Sequence, residues 1–116
     1  MLYKYEESEP RWIAFENPKG EKGIGGAENF GAKGHAFEHF DIGEVKTLCD
    51  FRGSGVVRRI WITLSDRSEN VLRNVIIKMY WDDSKKPCVE CPIGDFFCMG
   101  LGKMHSFENC FFSTAE

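Results

Sequence analysis

The sequence predicts an all-β domain, namely an antiparallel β-sandwich that forms a jelly roll or part of one, with a long glycine-rich loop near the N-terminus. Short segments in which apolar and polar residues alternate recur between turn signals. Aromatic residues make up 14% of the 116 residues and include ten phenylalanines, which favours strands. No segment has the periodicity of an amphipathic helix, so helices are not expected.

The N-terminal third of the chain carries little regular structure. Residues 1–10 are polar and form a lead-in, and residues 11–116 are assigned to the jelly-roll domain. Residues 19–34 contain six glycines and are predicted to be an irregular loop. Loops longer than about 12–15 residues in compact domains are usually functional or disordered. We favour a ligand-facing loop over simple flexibility because of three polar side chains: Asn29, Lys33 and His35.

Regular β structure is expected to begin after Gly43. Five strands are predicted, over residues 44–51, 56–64, 71–81, 87–92 and 107–114. The second has apolar residues on both faces, as in the middle of a sheet, and the fourth is bounded by prolines, as at an edge. In the third, alternation directs Val75, Ile77 and Trp81 inwards. Asp82 and Asp83 then form a hairpin turn.

Composition bears on partners and location. The net charge is −3 and the basic residues are scattered, so no nucleic-acid surface is expected. No apolar stretch approaches about 18 residues, so no membrane span is expected. The first ten residues lack the apolar core of a secretory signal. Five cysteines without a framework spacing indicate free thiols, and we expect a cytoplasmic protein.

The spacing of Cys88 and Cys91 is that of a zinc half-site or a redox pair. Cys98 and His105 would complete four ligands in number. On a strand, however, residues three apart point to opposite faces, so the two thiols do not converge. We therefore expect free thiols and no metal.

A second group of residues, in which aromatic side chains lie next to acidic ones, indicates sugar binding rather than metal binding. The order strand, turn, strand, acid is expected to bring Tyr80, Trp81, Asp95, Phe96 and Phe97 together at one end of a sheet. Aromatic faces stack on sugar rings, and a carboxylate accepts hydrogen bonds from sugar hydroxyls. The alternatives are that Trp81 and Trp61 lie in the core and that Asp95 only caps a turn.

Several motifs between residues 11 and 102, almost the whole chain, resemble the start of glycoside hydrolase family 172. The motifs are Phe15-Glu16-Asn17-Pro18, Gly31-Ala32-Lys33-Gly34, Gly53-Ser54-Gly55-Val56-Val57-Arg58-Arg59-Ile60-Trp61, Tyr80-Trp81-Asp82 and Pro92-Ile93-Gly94-Asp95-Phe96-Phe97. The resemblance implies two jelly rolls in tandem, assembled into trimers or hexamers. It also implies enzymes that act on α-linked fructofuranosyl or arabinofuranosyl sugars with retention of configuration, using two glutamates and no organic cofactor.

Members of that family are considerably longer than this chain, and their catalytic glutamates lie in the part that follows. The resemblance therefore implies no catalytic residue here, and the fragment is expected to be inactive. Six positions within or near the matching motifs are candidates for lining a sugar pocket: Asn29, Lys33, His35, Trp81, Asp95 and Phe96.

Three functions follow as hypotheses. The first is the N-terminal β-sandwich part of a retaining glycoside hydrolase whose partner is an oligosaccharide. The second is a stand-alone carbohydrate-binding module. The third is a structural jelly roll that acts in assembly. A jelly roll with missing strands leaves sheet edges uncovered, so we also expect a homo-oligomer formed through those edges.

Overall fold

The structure is a computed structural model that describes residues 5, 7–32 and 34–115. The described residues form two compact units, which are divided between Val57 and Arg58. Residues 1–4 and 6 of the predicted lead-in lie outside the described residues, and the described remainder of the lead-in has neither helix nor strand. The regular elements are α1 (Glu28–Gly31), α2 (Glu69–Asn74), β1 (Ile76–Met79), β2 (Val89–Pro92), α3 (Ile93–Phe96), β3 (Phe107–Glu108) and β4 (Ser113–Thr114).

The first unit is organised around the buried side chain of Asn17. Its Nδ2 donates to the carbonyl of Trp12 at 3.3 Å and to that of Glu21 at 3.0 Å. Its Oδ1 accepts from the backbone N–H of Glu21 at 2.9 Å. The backbone of Asn17 also forms an isolated antiparallel bridge with Ala14. All polar atoms of this buried amide are thus engaged, which gives it a structural role in the turn.

The element α1 is a left-handed turn rather than an ordinary helix. Asn29 has φ 51° and ψ 48°, and Phe30 has φ 56° and ψ 32°. Asparagine adopts this conformation readily, whereas it is costly for phenylalanine. A Cβ at Gly34 would lie 2.9 Å from the Cβ of Glu28, so only glycine fits there without movement. Apart from this turn, the described part of 19–34 has no regular element, which confirms the irregular loop.

The two strands expected over 44–51 and 56–64 are not formed, since residues 44–64 contain neither helix nor strand. Val45, Val56 and Val57 in these segments are largely exposed. A strand of this kind needs a partner to satisfy its backbone and a surface on which to bury its apolar face. Neither is provided for these segments within the described residues.

The strand expected over 71–81 is also wrong in its first part, because α2 extends to Asn74. Ser68 caps the helix by accepting a 3.4 Å hydrogen bond from the N–H of Val71. Glu69 in the first turn and Arg73 in the last turn suit the helix dipole. As a result Leu72, which in a continuous strand over 71–81 would lie on the face opposite Ile77, has no exposed surface.

Over Ile76–Met79 the expected alternation holds, whereas Trp81, which was expected to face inwards, is 53% exposed. β1 pairs antiparallel with β2, with Ile77 opposite Cys91 and Lys78 opposite Glu90. Ile77 is buried, whereas Lys78 is exposed and its Nζ lies 2.8 Å from Oε1 of Glu90. The short strand expected over 87–92 is therefore confirmed for residues 89–92.

The hairpin turn at Asp82 and Asp83 is confirmed as well. Both residues have φ 56°, and the N–H of Ser84 donates to the carbonyl of Trp81 at 3.2 Å. Two successive left-handed residues closed by this hydrogen bond are the signature of a type I′ turn.

The core of the second unit lies where α2, β1 and α3 meet. Its buried apolar side chains are Leu72, Ile77, Ile93 and Met99. At the first residue of α3, the N–H of Ile93 donates a 2.7 Å hydrogen bond to the carbonyl of Val75. A Cβ at Gly94 would lie 2.9 Å from the carbonyl oxygen of Leu72, so α2 and α3 are in close contact there.

The last predicted strand, over 107–114, is instead a short hairpin of β3 and β4. Oδ1 of Asn109 accepts hydrogen bonds from the N–H groups of Phe111 and Phe112, both at 2.8 Å. Asparagine forms such side-chain turns readily, and this one reverses the chain. The described residues thus contain two small two-stranded antiparallel sheets. Their completion into a jelly roll remains a prediction.

Candidate functional site

The six candidate sugar-contacting residues are divided between the two units. Asn29 and His35 belong to the first, and Trp81, Asp95 and Phe96 to the second. Lys33 lies outside the described residues. Each group is therefore considered within its own unit.

The expectation that Trp81, Asp95 and Phe96 share one end of a sheet is wrong. The register places Met79 opposite Val89 and Ile76 opposite Pro92. Trp81 follows β1 at the turn end of the hairpin, whereas Asp95 and Phe96 follow β2 at the other end. Four residues of strand separate these ends, which corresponds to roughly 10–13 Å. The alternation pattern did not reveal this because the order of residues alone does not fix where each turn lies.

At the turn end of the hairpin, Trp81 is 53% exposed and Tyr80 is equally exposed. The alternative that Trp81 lies in the core is therefore wrong, as it is for Trp61, which is 72% exposed. Asp82 and Asp83 follow directly in the turn. Two aromatic rings and two carboxylates are thus adjacent along the chain at an exposed position.

At the opposite end, Asp95 is bound by a residue that the sequence did not single out. Nη1 of Arg73 donates to Oδ1 of Asp95 and to the carbonyl of Gly100 at 3.4 Å. The carboxylate side chain is 34% exposed. This arrangement ties α2 to α3 and to the following loop. The signal for Arg73 was its place in the last turn of a helix, which the strand interpretation hid.

Phe96 belongs to a cluster of three phenylalanine rings. Its centroid lies 5.2 Å from that of Phe97 and 5.9 Å from that of Phe112, both edge to face. Phe97 and Phe112 are themselves 6.4 Å apart at 89°. These half-buried rings join α3 to the C-terminal hairpin. Packing of the protein itself therefore occupies much of the Phe96 ring.

In the first unit, His35 lies between two carboxylates. Its Nε2 is hydrogen-bonded to Oε1 of Glu38, and its Nδ1 is 3.9 Å from Oε2 of Glu28. The ring of Phe15 is 6.1 Å from the imidazole, centroid to centroid. The hydrogen bond from His35 lowers the pKa of Glu38, and the nearby Lys46 contributes to this shift. The carboxyl of Glu38 is therefore readily ionised.

Lys46 connects this group to Glu44. Its Nζ lies 2.8 Å from Oε1 of Glu44 and 3.5 Å from Oε2 of Glu38. The hydrogen bond to Glu44 is the main cause of the raised pKa of Lys46. The pKa of Glu44 is lowered mainly by a hydrogen bond from the backbone N–H of Asp41 and also by Lys46. In the strand expected over 44–51, Glu44 and Lys46 would both lie on the polar face, so the alternation gave no signal for these contacts.

Within residues 5, 7–32 and 34–115, no group of three or more His, Cys, Asp or Glu side chains is arranged to hold a metal ion. Cys88, Cys91 and Cys98 are free thiols. Among the same residues there is also no helix with the length and apolarity that crossing a bilayer requires.

A comparison with known protein families decides the family of this chain. The family model described as GH172 domain-like matches residues 35–109, which is more than half of the sequence. This chain belongs to the GH172 domain-like family. Comparison with the curated proteins and with the solved structures found no match to it.

Membership of the GH172 family confirms the resemblance found in the sequence and gives the chain a glycoside hydrolase-related function. The class of ligand that this function implies is carbohydrate. The matched region contains His35, Trp81, Asp95 and Phe96, whereas Asn29 and Lys33 precede it.

Proposed function

We propose that this chain is the N-terminal part of a retaining glycoside hydrolase that acts on α-fructofuranosyl or α-arabinofuranosyl sugars. The match of residues 35–109 to the GH172 family is the observation that carries this proposal. Retaining hydrolysis requires two carboxyl groups about 5–5.5 Å apart. The resemblance to this family assigns neither of its two catalytic glutamates to a position of this chain. We therefore expect these 116 residues to bind sugar without hydrolysing it.

Within this function, Trp81 is the residue that we assign to sugar contact. Its exposed ring offers an apolar face to the C–H groups of a furanose. Asp82 and Asp83 follow in the type I′ turn and provide carboxylates that accept hydrogen bonds from hydroxyls. The turn lies in the connection between β1 and β2, and the antiparallel pairing of these strands joins the two ends of that connection.

The assignment is tested by NMR titration of ¹⁵N-labelled protein with methyl α-arabinofuranoside and methyl α-fructofuranoside. The wild type is expected to show saturable shifts centred on residues 80–84, and Trp81→Ala is expected to weaken binding at least tenfold. Trp61→Ala is the matched control because Trp61 is an exposed tryptophan of the same unit. Binding that is equally weakened by both variants, or by neither, would contradict the assignment to Trp81.

The expected lack of hydrolysis is tested separately with 4-nitrophenyl α-L-arabinofuranoside. No release of nitrophenol above the buffer rate is expected from the purified chain. Release that depends on protein concentration would show that catalytic carboxylates are present here and would overturn the inactive-fragment proposal.

A role in assembly is the second candidate, and the distribution of apolar surface favours it. Among the described residues, the buried apolar side chains are four, whereas many large ones are exposed. Exposed apolar surface of this extent is typical of interfaces. Both two-stranded sheets also have free edges, which another chain can extend. We propose that copies of this chain associate through these edges.

A further inference from the structure

We propose that Glu28, His35 and Glu38 form a pH-dependent latch, called the carboxylate latch below, that fastens the glycine-rich segment to the segment that follows it. The proposal is independent of sugar binding. It concerns how the conformation of residues 28–32 depends on the protonation of a single imidazole.

In the carboxylate latch, the imidazole of His35 lies between two carboxylates, which are hydrogen-bond acceptors. Nε2 of His35 is hydrogen-bonded to one carboxylate, that of Glu38, and Nδ1 faces the other, that of Glu28, at 3.9 Å. An ionised carboxylate only accepts hydrogen bonds, and a neutral imidazole has one N–H. Only the imidazolium, with two N–H donors and a positive charge, is attracted to both carboxylates at once.

Three charged side chains of the described residues lie at or next to the His35 ring. The described charged groups that face the ring are Glu28 and Glu38, and Lys46 contacts the far oxygen of Glu38 at 3.5 Å. The pKa of Glu38 is lowered from its ordinary value of 4.5, so this carboxylate stays ionised above that pH. Histidine is the side chain that commonly changes charge between about pH 5 and 8.

The carboxylate latch acts on a strained part of the backbone. Glu28 begins α1, in which Asn29 and Phe30 have positive φ. Left-handed geometry is unfavourable for a residue that has a Cβ, so it persists where surrounding contacts hold it. Loss of the proton on His35 removes the attraction to one carboxylate. The contact to Glu28 is the longer of the two, so it is the one that we expect to open.

The direction of the pH dependence follows from these charges. The carboxylate latch is closed when the ring is protonated and both carboxylates are ionised. It opens as the pH rises and His35 loses its proton. It also opens in acid, because Glu38 has a lowered pKa and its contribution is lost as the pH falls through that value, below 4.5.

NMR of the full chain tests this proposal by following the His35 ring and the backbone amides of residues 28–32 between pH 5 and 8. The amide shifts are expected to move with the same midpoint as the ring. In His35→Gln that movement is expected to disappear. In Glu28→Gln the ring is expected still to titrate, whereas the amides of residues 29–31 lose their response.

His105→Gln is the matched control, since Nδ1 of His105 contacts a backbone carbonyl, that of Lys103, rather than a carboxylate. This variant is expected to leave the response of residues 28–32 unchanged, and circular dichroism checks that each variant is folded. Three results overturn the proposal: a ring that does not titrate between pH 5 and 8, amides of 28–32 that ignore the ring, or a response that persists in His35→Gln. If His35→Gln does not fold, the Glu28→Gln spectra decide alone.

Discussion

Gly94 illustrates how a single residue in a family motif serves packing rather than binding. It is buried, and a Cβ at this position would lie 2.9 Å from the carbonyl oxygen and 3.1 Å from the Cβ of Leu72. The backbone of α2 cannot move away without disturbing Leu72, the fully buried side chain of this core. Only a residue without a Cβ allows α2 and α3 to approach this closely.

We therefore predict that Gly94→Ala destabilises the protein by about 1–3 kcal/mol, because overpacking forces the two elements apart. This outweighs the gain of about 1 kcal/mol that alanine gives over glycine in an unconstrained helix. Urea denaturation followed by circular dichroism measures the change. Gly100→Ala is the control, since a Cβ there would meet its nearest neighbour, Oδ1 of Asp95, at an ordinary 3.7 Å. Equal stability of both variants would contradict the packing argument.

At the scale of single residues, the sequence singled out two polar candidates for sugar contact, but it did not indicate the side chains that bind them. His35 and Asp95 stood out because of residue type and local motif. Glu38 and Arg73, which bind them, are three and 22 residues away. A contact across 22 residues depends on the close packing of α2 and α3, which hydrophobic alternation does not encode. The charge pattern alone therefore could not have revealed that Asp95 is already paired.

At the scale of elements, the β1–β2 hairpin was predictable because its signals are local. An alternating segment, a pair of aspartates and a second apolar segment bounded by prolines specify strand, turn and strand. The helix α2 was missed, although Ser68 followed by Glu69 is a helix-start signal. Its six residues are too few for periodicity to be recognised. The segment over 44–51 alternates and the segment over 56–64 is apolar on both faces, as strands can be, yet strand pairing depends on a neighbour that local sequence does not supply.

The hairpin turn yields a prediction about stability. Asp83 adopts φ 56°, a left-handed conformation that glycine adopts without steric cost. We expect Asp83→Gly to stabilise the protein by about 0.5 kcal/mol, after allowance for the greater freedom of glycine in the unfolded chain. The urea midpoint, followed by tryptophan fluorescence, reports the change.

Lys85→Gly is the control for the turn, because Lys85 lies in the same connection but does not have a positive φ. There glycine adds unfolded-state freedom without relieving strain, so a small loss of stability is expected. A loss of stability in Asp83→Gly as large as that in Lys85→Gly would contradict the type I′ assignment.

At the scale of the whole molecule, the exposed apolar surface predicts self-association. Many large apolar side chains outside the small core are exposed, among them Ile42, Val45, Val56, Leu101 and Phe111. Sedimentation velocity at tens of micromolar is expected to show dimers or larger species. A species that remains monomeric over the range of 1–100 μM would contradict edge-mediated assembly.

A charged residue introduced on β1 distinguishes self-association through the strand edge from non-specific association of exposed apolar surface. Ile76 is a partly exposed residue of β1, and a lysine on an edge strand opposes strand addition. Ile76→Lys is expected to shift the species towards monomer. Ile42→Lys, at a fully exposed position outside any strand, is expected to leave the distribution unchanged. Equal dissociation by both variants would indicate non-specific association instead.

The family was recognisable from the sequence because its motifs are local strings, whereas the sandwich expected from them is a long-range arrangement. Strand pairing between distant segments depends on contacts that single-sequence patterns do not specify. The described residues contain two small sheets, and the predicted jelly roll requires further pairing of segments such as 44–64.

The ion pair between Lys78 and Glu90 restricts how any such pairing can occur. Both side chains stand on the solvent side of the β1–β2 hairpin, opposite the buried Ile77. A neighbour that stacked flat on this side would have to strip water from two charges, which is unfavourable. Another strand can therefore add to the free backbone edges of the hairpin, whereas a second sheet cannot pack favourably on its charged outer face.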